Sequence, residues 1–130
     1  MERVTGIGGF FFRSKDPAAL MAWYSANLGI DPSEEPDSPI HVFRWGADPA
    51  GESGTTTWSI FAAESTYFDP TGADHMVNYR VANLDRMLEQ LRSAGAEVEE
   101  RIEESEFGRF GWARDPDGNR FELWEPAEGM

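Results

Sequence analysis

Few side chains in this sequence can carry reaction chemistry. The 130 residues include no cysteine and only two histidines, His41 and His75. Without cysteine there are no disulfides, thiolate nucleophiles or thiolate zinc sites. One carboxylate is conspicuous: Glu122, set between Phe121 and Leu123 in the segment DPDGNRFELWEP, residues 115–126. An acid in such a run is a candidate metal ligand, a candidate general acid or base with a raised pKa, or an ordinary hydrated acid. Arg13 and Arg80 are the candidate cations. They either meet an anionic or carbonyl group of a ligand or neutralise Glu122 through a charge-assisted hydrogen bond.

The elements that must position these residues come from a repeat. FRWGADPAG (43–51) lies on FGWARDPDG (110–118), matching Phe43 with Phe110, Trp45 with Trp112, Asp48-Pro49 with Asp115-Pro116 and Gly51 with Gly118. At the same spacing Arg13 meets Arg80, and Asp16 meets Asn83. Two gapless matches at one spacing indicate a duplicated module. In the first copy GIGGFFFR (6–13) reads as a strand. Asp16 caps a helix with Pro17 at its first position, Leu20, Trp23, Tyr24 and Leu28 form its apolar stripe, and Gly29 ends it. IHVFRW (40–45) and TTWSIFA (56–62) follow as strands. In the second copy HMVNYRV (75–81) is a strand, Asn83 a cap, Leu84, Met87, Leu88 and Leu91 the stripe, and Gly95 the stop. AEVEERI (96–102), RFGWAR (109–114) and RFELWE (120–125) follow as strands, with a turn at Asp-Pro-Asp-Gly. The expectation is one α+β domain over 1–130, built from βαβββ modules at 1–62 and 75–126 joined by a connector at 63–74.

Charge narrows the partners. Twenty-four acidic residues against eleven basic ones leave a net charge of −13. Phosphate backbones and anionic membranes require Lys and Arg, so neither nucleic acid nor membrane is expected as a partner. The N-terminal MERVTGIGGFFF lacks the basic start and long apolar run of a leader or membrane span. The expected location is cytoplasmic.

The tandem modules, KDPAALMAWYSANLGI (15–30) and RDPDGNRFELWEP (114–126) resemble the vicinal oxygen chelate superfamily. That group includes glyoxalases, bleomycin-resistance proteins and extradiol dioxygenases. The resemblance implies a mixed sheet curled around a cavity, and often a homodimer. In enzymatic members it implies a divalent metal held by His, Gln or Glu from the first and last strand of each module. Carried over, the four ligand positions fall on Gly9, Ser59, Met76 and Glu122. Only Glu122 offers a suitable donor, so no metal or other cofactor is expected.

Strand alternation names the cavity wall. Gly9, Phe11 and Arg13 share a face, as do Ser59 and Phe61, then Met76, Asn78 and Arg80, then Glu122 and Trp124. The candidate ligand-binding residues are therefore Phe11, Arg13, Ser59, Phe61, Met76, Asn78, Arg80, Glu122 and Trp124, with Glu122 the candidate catalytic group. Phe10, Phe12, Val77, Tyr79 and Val81 turn towards the helices, and so does His75 unless a bulge intervenes. Trp45 and Trp112 are read as packing. The expected function is metal-free binding of a small hydrophobic or cationic molecule. The alternative is a lyase or dioxygenase whose divalent metal sits in an atypical ligand set that includes His75 or His41.

Overall fold

The computed structural model describes residues 1–36, 38–46, 54–69 and 72–130. Its elements run β1 (Val4–Ser14), α1 (Pro17–Leu28), β2 (Ile40–Arg44), β3 (Thr55–Ala62), β4 (His75–Val81), α2 (Leu84–Ser93), β5 (Glu97–Val98), β6 (Glu103–Ser105), β7 (Gly108–Arg114) and β8 (Arg120–Pro126). A single 3-10 turn, Thr66–Phe68, lies in the stretch between β3 and β4. Asp48, Pro49 and Gly51, which the repeat pairs with the second turn, lie outside the described residues. Two compact units form: Gly9–His75, and Met1–Gly8 with Met76–Met130. β1 begins in one and ends in the other.

In the unit Gly9–His75, β3 runs parallel to β1 and antiparallel to β2. α1 starts as its sequence demands. The Asp16 side chain accepts from Ala19 N at 3.1 Å, and Pro17 loses no bond because a first-turn N–H has no helical partner. Gly29 ends the helix at φ 68°, a left-handed conformation that glycine adopts without steric cost. The expected stripe is only partly right. Met21 is the buried residue of α1, and Tyr24 packs edge-on against Phe12 and Trp58. Trp23 and Leu28 stay 54% and 60% exposed. Trp23 is two positions from Met21, about 200° around the helix, so both cannot face the sheet.

In the other unit β4 and β8 are parallel, and β8 pairs antiparallel with β7. Asp115 organises the turn between β7 and β8, accepting from Asp117 N, Asn119 N and Asn119 Nδ2 at 2.8–2.9 Å. The expected strand over 96–102 is interrupted. β5 and β6 both pair with β7, but the register slips by two residues between Glu97↔Arg114 and Glu103↔Phe110. Residues 99–102 absorb that slip as a bulge. α2 begins where predicted: Asn83 accepts from Arg86 N, and Glu125 reaches from β8 to accept from Leu84 N at 2.8 Å. Its stripe buries Leu84, Met87 and Leu88 against Val81 and Leu123, with Tyr79, Leu91, Val98 and Phe121 around them. Each fully buried side chain of this kind contributes roughly 1.5–3 kcal/mol, so α2 is held by packing more than by its ten-residue length. No helix among the described residues is long and apolar enough to cross a membrane.

Candidate functional site

Glu122 is 1% exposed. Its place follows from register, since it lies opposite Asn78 on β4 and opposite Trp112 on β7. Both neighbours donate to it. Asn78 Nδ2 reaches Oε1 at 2.6 Å and Trp112 Nε1 reaches Oε2 at 2.9 Å. A carboxylate only accepts, so it also sets the Asn78 amide with nitrogen towards it and oxygen away. Buried acids need such partners, because an unpaired charge in the interior is costly. Asn78 and Trp112 thus put a neutral donor on each oxygen, and Arg13, one of the two arginines that could have paired with Glu122, uses its guanidinium within its own unit.

Cations nevertheless surround this carboxylate's partners. Arg101 and Arg120 lie against the Trp112 ring, 4.5 and 5.4 Å from its centroid. Arg120 bonds Glu99 at 2.6 and 3.2 Å and directs Nη1 to the Met76 sulfur at 3.6 Å. Arg80 stands 4.9 Å over Trp124, which stacks on Phe110 with rings 3° from parallel. Burial pushes the Arg80 guanidinium below its usual pKa. Trp124 Nε1 donates to Phe107 O. Asn78, Arg80, Met76, Glu122 and Trp124 are therefore gathered on one sheet face, as alternation predicts.

Gly8 makes this face possible. A Cβ there would stand 2.1 Å from Asn78 Oδ1, 2.8 Å from the Trp124 ring and 3.0 Å from Arg80 Cγ. Asn78 Oδ1 itself is buried without a hydrogen-bond partner among the described residues.

In the unit Gly9–His75, Phe11 pairs with Ser59 and Arg13 with Phe61 across β1 and β3, so these four share a face. The Phe11 and Phe61 rings are 5.5 Å apart, and Tyr67 and Phe68 complete the cluster. Arg13 donates to the carbonyls of Ala63, Gly72 and Ala73, pairs with Asp74 at 3.4 Å and covers the Phe68 ring. Phe11 and Ser59 are buried. His41 donates from Nδ1 to Asp31 O at 2.6 Å, and His75 stacks on Phe10. Trp45 donates to Thr56 Oγ1 at 2.8 Å.

The donor set does not suit a divalent metal. Glu122 already accepts on both oxygens, and the Met76 sulfur already faces a guanidinium. Gly9 offers no donor, and a Cβ there would lie 2.7 Å from the Phe11 ring. Ser59 is a weak ligand for such ions. Among the described residues no three His, Asp or Glu side chains are grouped to hold an ion.

Sequence reasoning missed Trp112, Arg120, Glu99 and Gly8. Trp112 was within reach of it: once the Asp-Pro-Asp-Gly turn sets Arg114 opposite Arg120, the ladder carries Trp112 to Glu122. Arg120, Glu99 and Gly8 left no comparable signal, since their contacts cross elements far apart in sequence.

Mixed sheets with two helices define an α+β chain of the glyoxalase and bleomycin-resistance type, and solved structures share the fold. A glyoxalase/bleomycin resistance protein/dioxygenase superfamily member from Vibrio splendidus 12B01 is 14% identical with a TM-score of 0.56, covering 96% of this chain and 99% of that one. Methylmalonyl-CoA epimerase from Mycobacterium tuberculosis is 24% identical with a TM-score of 0.61, covering 95% and 89%. A variant of the Streptomyces coelicolor methylmalonyl-CoA epimerase in complex with 2-nitronate-propionyl-CoA is 16% identical with a TM-score of 0.71, covering 98% and 99%. No curated protein matches the chain. The family pattern of the Glyoxalase/Bleomycin resistance protein/Dioxygenase superfamily matches residues 6–123, and the chain belongs to that superfamily.

Proposed function

We propose that this chain is a metal-independent small-molecule-binding member of the superfamily, holding an apolar-bodied ligand on the sheet face that carries Asn78, Arg80, Glu122 and Trp124. One observation carries the reading. Glu122, the retained family ligand position, has both carboxylate oxygens occupied by Asn78 and Trp112. A metal would have to share each oxygen with a buried donor and would lack imidazole or carboxylate company among the described residues. Burial disfavours Glu122 as a general base, because at 1% exposure its remaining lone pairs have little access to a ligand. What the face offers instead is aromatic surface and fixed polar groups, the usual lining of a small-molecule site.

Two measurements test this. Protein exposed to Mn, Ni and Zn and then dialysed should retain far less than one equivalent by elemental analysis; near-stoichiometric retention would overturn the metal-independent reading. Tryptophan fluorescence against small aromatic and cationic molecules should find saturable quenching that Glu122→Ala alters. Quenching unchanged in that variant would remove this face from the site. Acyl-CoA esters belong in the panel because of the epimerases, but a chain of net charge −13 is expected to disfavour their phosphates.

A further inference from the structure

A second feature lies on the helix side of the unit Gly9–His75, away from the strand face of Phe11 and Arg13. There β1, β3, α1 and the Asp74–His75 segment border an open cleft of ≈ 330 Å³. Its walls are rings. Trp58 packs edge-to-face with Phe12 at 5.2 Å and with Tyr24 at 4.9 Å. Phe10 and His75 stack at 5.9 Å, only 20° from parallel. Phe10 is 39% exposed although it sits in the middle of a strand. α1 leaves this opening because Met21 is its only buried residue.

The polar groups of the cleft narrow what fits. The Trp58 indole N–H, the Tyr24 hydroxyl and the His75 imidazole make ring contacts only, with no hydrogen bond to other described residues. An indole N–H can only donate, so a ligand meeting it must bring an acceptor. The lining carboxylate is Asp74, and its pairing with Arg13 at 3.4 Å weakens its hold on a cation. Asp74 at the rim, its side chain 92% exposed, and the net charge of −13 oppose an anion. We infer that this cleft is a second binding site, for a neutral planar aromatic molecule carrying a carbonyl-type acceptor. The volume lies at the small end of known ligand pockets, which suits one or two fused rings. This site is independent of the Glu122 face, and either can exist without the other.

Coumarin, flat and neutral with a lactone carbonyl, is the probe. The five tryptophans give five indole N–H resonances in the 15N-labelled full chain, and Trp58→Phe identifies the one that matters. Titration should move the Trp58 resonance saturably and leave that of Trp112, which is bonded to Glu122, in place. Phe10→Ala should weaken binding about ten-fold through loss of a stacking wall. Tyr24→Phe, which keeps the ring, should weaken it about five-fold, because the hydroxyl donates to the ligand's acceptor. Should Phe10→Ala fail to fold, Tyr24→Phe decides. The inference is overturned if the Trp58 resonance is unmoved at the solubility limit of coumarin, or if the folded variants bind coumarin as tightly as the unsubstituted chain. It is equally overturned if sedimentation finds a dimer whose Trp58 resonance is unresponsive, since a second copy would then be what covers the cleft.

Discussion

Asn78 donates to Glu122 at 2.6 Å across neighbouring strands, with Trp112 completing the pair of donors from the other side. Replacing one oxygen by an amide nitrogen sets two N–H groups against each other, or flips the Asn78 amide and leaves its Nδ2 without an acceptor. Glu122→Gln is expected to destabilise the chain by roughly 1–3 kcal/mol, the cost of a buried donor without an acceptor. Urea unfolding followed by tryptophan fluorescence measures it. Glu122→Ala should cost more, since it orphans both donors and opens a void.

Gly8 and Asn78 should be coupled. A methyl at Gly8 would stand 2.1 Å from Asn78 Oδ1, so Gly8→Ala is expected to cost about 1–3 kcal/mol through overpacking. Asn78→Ala removes the nearest of these contacts, leaving the Trp124 ring at 2.8 Å, while removing a donor to Glu122. In a double-mutant cycle the pair should therefore be less destabilising than the two single changes added together. Strict additivity would mean that the close approach is relieved some other way.

Two of the Arg–Glu pairs around the bulge differ in burial and should differ in worth. Arg120 and Glu99 meet at 2.6 Å with side chains 5% and 35% exposed, whereas Arg101 and Glu103 meet at 3.3 Å with both at least half exposed. Glu99→Ala leaves a buried guanidinium with a lost partner and should cost about 3 kcal/mol or more. Glu103→Ala should cost about 0–1 kcal/mol, as exposed pairs do. Equal effects in denaturant titrations would contradict this ranking.

Acid should loosen the turn that begins the final strand. The Asn119 side chain, then backbone N–H groups of Asn119, Asp117 and Gly118, hold the Asp115 carboxyl below its usual pKa. A carboxyl depressed in the folded state contributes stability that is present above its unfolded pKa and lost as pH falls through the folded one. Asp115→Asn should therefore flatten the acid limb of the stability–pH curve and change little at neutral pH beyond the lost hydrogen bonds. Thermal unfolding from neutral to strongly acidic pH checks it, and an unchanged acid limb would exclude Asp115 as a contributor. Asp85, depressed by Arg109, shares the sign, so the flattening should be partial.

Local chemistry made much of the molecule legible in advance. Asp16-Pro17, Gly29, Asn83 and the Asp-Pro-Asp-Gly turn act within a few residues of themselves, and α2's stripe is a one-dimensional period that packing obeys. Alternation likewise assigned Asn78, Arg80, Glu122 and Trp124 to one face, because side chains along a strand have no other option. The α1 stripe was less legible, as Trp23 and Leu28 have the hydrophobicity of core residues but not their position around the helix.

Motifs and alternation were enough to reach the family, the strand faces and the presence of one acid beside three unsuitable residue types at the family's ligand positions. What holds that acid emerges from folding. The partners of Glu122 come from strands 44 and 10 residues away, and the guanidinium at Met76 from 44. Such contacts depend on register between elements, and register is set by the packing of whole strands, which no local pattern encodes. The same holds for the cleft beside Trp58, which exists because one helix sits on its sheet by Met21 and Tyr24 and leaves Phe10 uncovered.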